Sequence, residues 1–402
     1  MSIVLAFSGG LDTSFCVPYL KETYDEPIYT VTVNTGGITA EDEADLVRRA
    51  EELGAEKHFT IDGRDELFWN HLSYLVKGNV LRGNVYPLCV GPERVTQAQK
   101  IVDAARELGA RAIAHGSTGA GNDQVRFDVA LRILASEMEI ITPIRTLGYS
   151  RQQTTDYLLA HGFNVDTSTT TYSINRGLWG TPIGGKETLG SALPLPEEAY
   201  PDTLPPARCP DNPLTLRLTF EQGIPTALDG NMLDPVKLIE RLNELGGDHG
   251  IGRDIHVGDT ILGIKGRVGF EAPAASILIK AHEELEKIIL TKWQRYQKDQ
   301  LGDFYGMLLH EGQHFDPVMR DIEAFLDSSQ NVVTGTVDIQ LYKGHLRVMG
   351  CESAYSLFDT RVASYGETNT LWDARDAQGF TQIYGVHAHL ANKVRTTQGL
   401  PQ

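Results

Sequence analysis

Cysteine is scarce in this chain. The four present, Cys16, Cys89, Cys209 and Cys351, lie too far apart to form a C-x-x-C pair. That excludes the usual zinc knuckles and predicts reduced thiols in a cytoplasmic protein rather than a disulfide scaffold. Positive charge is short as well: 36 Lys and Arg stand against 53 Asp and Glu, a net charge of -17. Duplex nucleic acid and anionic membranes both want clustered cations, so neither is an expected partner. No apolar run approaches the ~18 residues that a membrane-spanning helix needs. Met1 leads straight into a strand-like segment, which leaves no room for a signal peptide. Two familiar phosphate loops, G-x-x-x-x-G-K-[ST] and G-x-G-x-x-G, are missing. No Ser-His-Asp grouping is readable from spacing. His310 and His314 are four apart, but Gly312 between them and the lack of a catalytic Glu pattern argue against zinc.

What the chain does have is a large apolar fraction, 41% of 402 residues, enough to build two or three domains around real cores. Its most informative stretch is Ser8-Gly9-Gly10-Leu11-Asp12-Thr13-Ser14. Before it, Ile3-Val4-Leu5-Ala6-Phe7 reads as a short buried strand; after it, a helix runs to about Thr23. A glycine pair at a strand-to-helix turn lets backbone approach a ligand, because no Cβ intervenes. The first-turn N–H groups, with the hydroxyls of Ser8, Thr13 and Ser14, then form an anion cradle. The bland alternative is an ordinary turn with Asp12 or Thr13 as N-cap.

From residue 1 to about 165, strand-like and helix-like segments alternate. Strands are expected at Pro27–Val33, Lys57–Ile61, Ala112–His115 and Glu139–Pro143, and helices at Glu41–Leu53, Asp65–Lys77 and Thr96–Leu108. This alternation predicts an α/β, doubly wound parallel sheet whose ligands sit outside the carboxyl ends of the strands. Ser8–Ser14, Asn34–Gly37 and Gly116–Asp123 all follow strand ends and should line one crevice. After Thr167 the pattern changes. The Thr/Ser run Thr167–Thr171 and the Gly-rich Gly177–Gly190 read as irregular loop, followed by a proline-rich stretch from Pro194 to Pro213. Strands at Leu214–Phe220 and within Ile251–Val268, helices at Leu233–Leu245, Ala275–Leu301 and Pro317–Asp327, and a hairpin around Tyr342-Lys343-Gly344 predict an α+β second domain. The expected division is a nucleotide-binding domain over 1–166, a synthetase domain over 167–378 and a C-terminal arm over 379–402.

A second stretch, His115 to Phe127, repeats the logic of the first with Gly116, Gly119 and Gly121 and the hydroxyls of Ser117 and Thr118. Asn122, Asp123 and Arg126 add an amide, an acid and a guanidinium, a set able to grip an amino acid. Taken singly, Asn122-Asp123 is a helix cap and Arg126 a solvated face; His115 reads as a hydrogen-bonded core histidine. Tyr172-Ser173, Lys186-Glu187 and Lys265-Gly266-Arg267 are weaker candidates in loops.

Together these stretches carry a resemblance. Ser8–Ser14 is similar to the pyrophosphate loop of the N-type ATP pyrophosphatases. Ala114–Phe127, with Gly-Asn-Asp-Gln-Val-Arg-Phe, resembles the argininosuccinate synthases in particular. Leu242–Arg253, Lys265-Gly266-Arg267 and Leu341–Gly344 resemble the second domain of that family. The resemblance implies that ATP is split at the α-phosphate by the citrulline ureido oxygen, after which aspartate displaces AMP. It implies that Ala6, Phe7, Ser8, Gly9, Gly10, Leu11, Asp12, Thr13, Ser14, Val33 and Gly116 hold ATP, with Mg²⁺ carried on its phosphates. Thr118, Asn122 and Asp123 would hold aspartate; Tyr86, Asn122, Arg126 and Ser173 would hold citrulline. Asp12, Ser14 and Arg126 are the catalytic candidates, and a homotetramer tied by the C-terminal tail is expected.

The chain also departs from the family pattern. Thr-Ala-Asp-Ile-Gly-Gln is here Thr32-Val33-Asn34-Thr35-Gly36-Gly37, and Leu-Gly-Thr-Ser is Leu88-Cys89-Val90-Gly91. Ala120 replaces a common lysine and Pro182 a serine, while an acid and a tyrosine of the citrulline site become Gly258 and Phe270. The acceptor is therefore either citrulline with an acylated α-amine, or free citrulline held by a substitute acid such as Asp259 or Glu271. Other readings are a different adenylate-forming ATP pyrophosphatase and a non-catalytic nucleotide-binding protein.

Overall fold

The computed structural model describes residues 1–165, 172–359, 362 and 370–399, so the Thr167–Thr171 run lies outside the described residues. β1 (Ile3–Ala6) is almost wholly buried, as expected for a central parallel strand covered on both faces. It leads through the Ser8–Gly10 turn into α1 (Leu11–Tyr24). β2 (Ile28–Asn34), α2 (Ala40–Glu52) and β3 (Lys57–Asp62) follow. Thr39 caps α2 through a reciprocal capping box with Asp42, which puts its start one residue ahead of the expected Glu41. The next helical run consists of α3 (Arg64–Leu67), a π turn at Phe68–Leu72 and α4 (Ser73–Lys77).

α5 (Gly91–Glu107) begins well before the expected Thr96, because Pro92 in its first turn is a good helix start. β4 (Ala112–His115), α6 (Asp123–Leu134), β5 (Glu139–Ile141), α7 (Pro143–Leu147) and α8 (Arg151–Ala160) complete the first part. Its five strands are all parallel, in the order β3-β2-β1-β4-β5. The order reverses between β1 and β4, and that is where a doubly wound sheet opens its crevice.

The second part has two antiparallel sheets. One, of order β11-β12-β7-β6, contains β6 (Ser173–Ile174), β7 (Thr181–Gly184), β11 (Arg253–Asp259) and β12 (Lys265–Glu271). β7 thus gives regular structure to part of the Gly177–Gly190 stretch that reads as irregular in sequence. The other sheet, of order β10-β9-β8-β13-β14, contains β8 (Leu214–Glu221), β9 (Ile224–Leu228), β10 (Asn231–Met232), β13 (Gly335–Tyr342) and β14 (His345–Glu352). Helix α9 (Pro235–Asp248) packs beside β9 and α10. The single long helix expected over 275–301 is two, α10 (Pro273–Ile289) and α11 (Lys292–His310). Thr291 breaks it by capping α11 in a box with Gln294, a local signal stronger than the continuous apolar pattern. α12 (Pro317–Gln330) follows.

Residues 1–355 form one compact unit. The second unit, 356–402, holds α13 (Ala374–Tyr384) and α14 (Val386–Thr397), with no buried residue on either helix.

The core of the second part encloses a charged knot. Lys298 and Glu286 are almost completely buried and lie 2.7 Å apart. Asn79 and Gln330 donate to the two oxygens of the same carboxylate at 2.6 and 2.7 Å. Each charge is therefore compensated, and removing one partner strands the other. Lys298→Met is expected to lower the unfolding free energy by about 3–5 kcal/mol in urea titrations. Truncating the exposed pair Arg241–Glu244 should change it by less than about 1 kcal/mol.

Candidate active site

The site grows from the turn after β1. Gly9 takes a φ of 71°, the left-handed region that an L side chain resists, and an added Cβ would lie 2.8 Å from Leu46. Gly10, in extended conformation, is the N-cap of α1 but has no side chain to cap it. The N–H groups of Leu11, Asp12 and Thr13 are thus left for an outside acceptor. The Thr13 hydroxyl stitches the turn: it lies 3.1 Å from the Ser8 hydroxyl, accepts from the Ser8 N–H at 3.3 Å and donates to the Gly10 carbonyl. The Ser14 hydroxyl is buried under the loop, donating to the Gly9 carbonyl at 3.2 Å and accepting from Arg49. Ser14 therefore holds the loop from behind and does not line the cavity in front of it.

β4 delivers the second loop beside the first. A Cβ on Gly116 would come within 3.1 Å of Thr13 and 3.3 Å of the Asp12 backbone, so a glycine here lets the loops meet without crowding. His115 is buried and bonds to Asp128 at 2.8 Å, which in turn takes a 2.7 Å contact from Arg145. That is the structural role read from its strand position.

In front of the loops lies a cavity of about 990 Å³. Ala6, Phe7, Ser8, Gly9, Gly10, Leu11, Asp12, Thr13, Val33 and Gly116 line it. So do five arginines that sequence reasoning missed: Arg48, Arg49, Arg94, Arg151 and Arg176. Six acids line it too, Asp12, Asp42, Asp45, Glu52, Glu93 and Asp123, and three of them pair with Arg48, Arg49 and Arg94. The only local signal was Arg48-Arg49 within the otherwise acidic helix α2; the others come from distant elements.

A second cavity of about 580 Å³ adjoins the first and shares Asp12, Gly116, Ser117, Asp123 and Asn175 with it. Tyr86, Thr118, Asn122, Arg126, Ser173, Pro182 and Gly258 line it, as do Arg82, His256 and His310. The two parts of the compact unit are bolted together here. Asn122 accepts the Ile261 N–H at 3.0 Å, tying the β4–α6 loop to the β11–β12 turn. Arg126 spends its three nitrogens on the His310 carbonyl, the His310 ring and Asp123, at 2.9, 3.1 and 2.9 Å. Arg94 holds the other Asp123 oxygen at 2.9 Å. Burial alone would raise the Asp123 pKa, but Arg94 and Arg126 outweigh it and hold the carboxyl below its usual range. Burial, with Arg126, Arg82 and His256 beside it, pushes His310 down to about 3, so its ring is neutral.

The proposed substitute acids fare differently. Glu271 faces away from the cavity, buried against Thr203 and the Asp202 N–H at 3.1 Å. Asp259 sits at the rim with its carboxylate on Lys265 at 2.6 Å. Phe270 is buried against Tyr86 and so serves the cavity wall from behind. Of the weaker loop candidates, Arg267 donates to the carbonyls of Glu187, Gly190 and Leu193, and Tyr172 to Glu187; both brace the loop. Among the described residues no group of three or more His, Cys, Asp or Glu could hold a metal.

Residues 2–164 match the model of the arginosuccinate synthase N-terminal HUP domain, and residues 172–391 that of the arginosuccinate synthase C-terminal domain. The chain belongs to the argininosuccinate synthase family. It is 37% identical over 387 residues to the argininosuccinate synthase of Methanocaldococcus jannaschii, covering 96% of this chain and 97% of that one. It is 38% identical to that of Sulfurisphaera tokodaii, covering 98% and 100%, and 40% identical to that of Dehalococcoides mccartyi, covering 96% and 95%. Membership makes this chain a ligase that uses ATP, with citrulline and aspartate as the substrates its family joins. No helix among the described residues is long and apolar enough to cross a membrane.

The larger cavity is lined by one further group that sequence reasoning missed. Glu93, in the first turn of α5, is 3% exposed, and its Oε1 has no hydrogen-bond partner among the described residues. Burial raises its pKa to about 8, against the lowering influence of Arg94. The folded state therefore binds this proton more tightly than the unfolded chain does, so stability falls as pH climbs from the ordinary 4.5 towards about 8. Glu93→Gln should remove that fall. Thermal melts of the ligand-free protein should agree near pH 5 and favour the variant increasingly up to pH 8.5, by a few kcal/mol.

Proposed function

We propose that the protein condenses a ureido acceptor of the citrulline class with aspartate, converting ATP to AMP and pyrophosphate and producing an argininosuccinate in arginine biosynthesis. The observation that carries this reading is the meeting of the two cavities at Asp12, Gly116, Ser117 and Asp123. A nucleotide in the larger space and an acceptor in the smaller would have their reacting atoms at that junction. In the first step the ureido oxygen attacks the α-phosphorus and the bond to the bridging oxygen breaks, releasing pyrophosphate. In the second, the aspartate amine attacks the carbon of the citrullyl adenylate and AMP leaves with the ureido oxygen.

Little covalent chemistry falls to the protein; positioning and charge neutralisation supply the rate. In this reading the residues from Ala6 to Thr13, with Val33 and Gly116, hold ATP, and the unspent N–H groups of α1 receive its phosphate oxygens. Thr118, Asn122 and Asp123 take aspartate. Tyr86, Asn122, Arg126 and Ser173 take citrulline, with Arg126 orienting the ureido oxygen. Mg²⁺ fits as an ion carried on the phosphates: Asp12 and the hydroxyls of Ser8 and Thr13 are oxygen donors on the loop, and among the described residues no ready-made metal cluster competes for it. When bound it neutralises charge on the departing pyrophosphate.

The division into a nucleotide-binding domain (1–166), a synthetase domain (167–378) and an arm (379–402) belongs to the same proposal. We place the protein in the cytoplasm, consistent with its four free cysteines. We also propose a homotetramer, because the helices of the C-terminal unit expose Phe380, Ile383, Tyr384, Leu390 and Val394.

Pyrophosphate release should require ATP, aspartate and a ureido acceptor together. Asp12→Asn should cut AMP formation by about 100-fold through the lost charge at the junction, a typical cost for one electrostatic group. Ser14→Ala should cost about 10-fold or less, because it frees the Gly9 carbonyl and loosens the loop without touching ligand. Wild-type turnover in a folded Asp12→Asn variant would overturn the assignment. Deleting residues from Gly385 onward should lower the mass seen by light scattering.

A further inference from the structure

The second cavity has two ends of different character. Asp12 and Asp123 sit at the end shared with the larger cavity, whereas Arg82, Tyr86, His256 and Gly258 line only the smaller one. An amino acid with a free α-ammonium, reaching away from the junction, would look there for an acid. Asp259 is the acid nearby, and it is exposed on the rim and paired with Lys265 at 2.6 Å. Its backbone carbonyl, not its carboxylate, receives Arg82 at 2.6 Å. Glu311 also acts on Arg82 electrostatically, but it is exposed at the end of α11 and does not line the cavity. Among the described residues that bond is the only one recorded for the Arg82 guanidinium, which leaves further N–H groups unspent.

His256 completes this wall. Its ring is stacked on Tyr86 with centroids 5.6 Å apart and planes 14° apart. It is 9% exposed, and its Nε2 has no hydrogen-bond partner among the described residues. The space it fills was cleared on both sides. A Cβ on Gly258 would lie 2.5 Å from Nε2, and one on Gly83 2.9 Å from Cε1. Any side chain at 258, an acidic one included, is incompatible with the ring in this place. Burial and Arg82 hold the imidazole neutral. The far wall is thus a guanidinium beside a neutral ring with an unused nitrogen, and its one acid, Asp259, is spent on Lys265 at the rim, so no free carboxylate is left there for a desolvated ammonium.

We propose that the acceptor is a ureido carboxylic acid with no free α-ammonium, of which an α-N-acylated citrulline is the representative, its carboxylate facing Arg82 and His256. The proposal rests on the ligation chemistry given above and changes only the acceptor. The balance is unaltered: N-acylcitrulline, aspartate and ATP give N-acyl-argininosuccinate, AMP and pyrophosphate.

The test compares pyrophosphate release by the full chain with N-acetylcitrulline, 5-ureidopentanoate and free citrulline, each with ATP and aspartate. The expected result is a kcat/KM at least ten-fold higher for either ammonium-free acceptor than for free citrulline. Arg82→Met should raise the KM for N-acetylcitrulline at least ten-fold and shrink that preference, leaving the KM for ATP unchanged. A preference for free citrulline, or an equal loss with all three acceptors in Arg82→Met, overturns the acceptor assignment and leaves the ligation reading intact. No turnover with any acceptor overturns both. The wild-type comparison decides the matter even if the variant fails to fold.

Discussion

Everything functional in this chain depends on two backbone turns touching at the switch point of a parallel sheet. Gly116 lies against Thr13 and the Asp12 backbone, where a Cβ would be crowded at 3.1–3.3 Å. Gly9 gives the first turn its left-handed residue, and the unfilled N-cap at Gly10 leaves the first N–H groups of α1 exposed to a ligand. Sheet order supplies the rest. β1 and β4 are neighbours, and the crossovers after them diverge, so the two loops flank an opening and are not buried under a helix.

Cations then decide what the opening accepts. In a chain with a net charge of -17, five arginines from four segments face the larger cavity among six acids. Charge at a site is a local quantity, set by which side chains the fold gathers within a Debye length of about 8–10 Å. Asp123 is the hinge of this arrangement. Clamped by Arg94 and Arg126, it stays ionised at the junction, and Arg126 carries the restraint on to His310 in the second part of the unit. The two halves of the site are thereby held in register by charge-assisted bonds that double as substrate-facing groups.

Two buried carboxylates illustrate how surroundings separate like groups. Glu286, with Lys298, Asn79 and Gln330 around it, is fully compensated and acts as a structural pin. Glu93, with an orphaned oxygen and Arg94 at 3.7 Å, is left half-compensated in the wall of the larger cavity. Networks that satisfy every lone pair rigidify a core, while unsatisfied ones accumulate at sites.

The parallel sheet, its strand ends and both glycine-rich loops were legible in the sequence, because each depends on contiguous residues: apolar runs of strand length and glycines where backbone must approach a ligand. The family, too, was legible in such local motifs. Helix ends were less so, since a capping box at Thr291 and a proline at position 92 outweighed the apolar pattern around them. Only the tertiary structure decided which side chains share a cavity. Arg49, Arg94 and Arg151 come from three different helices to line the larger cavity, while Arg82 lines the smaller one. It also moved Ser14 behind its loop, turned Glu271 away from the cavity and set His256 into the gap between Gly83 and Gly258. Convergence of this kind depends on sheet order and loop packing over separations of 100 residues and more. No periodicity or spacing along the chain encodes it.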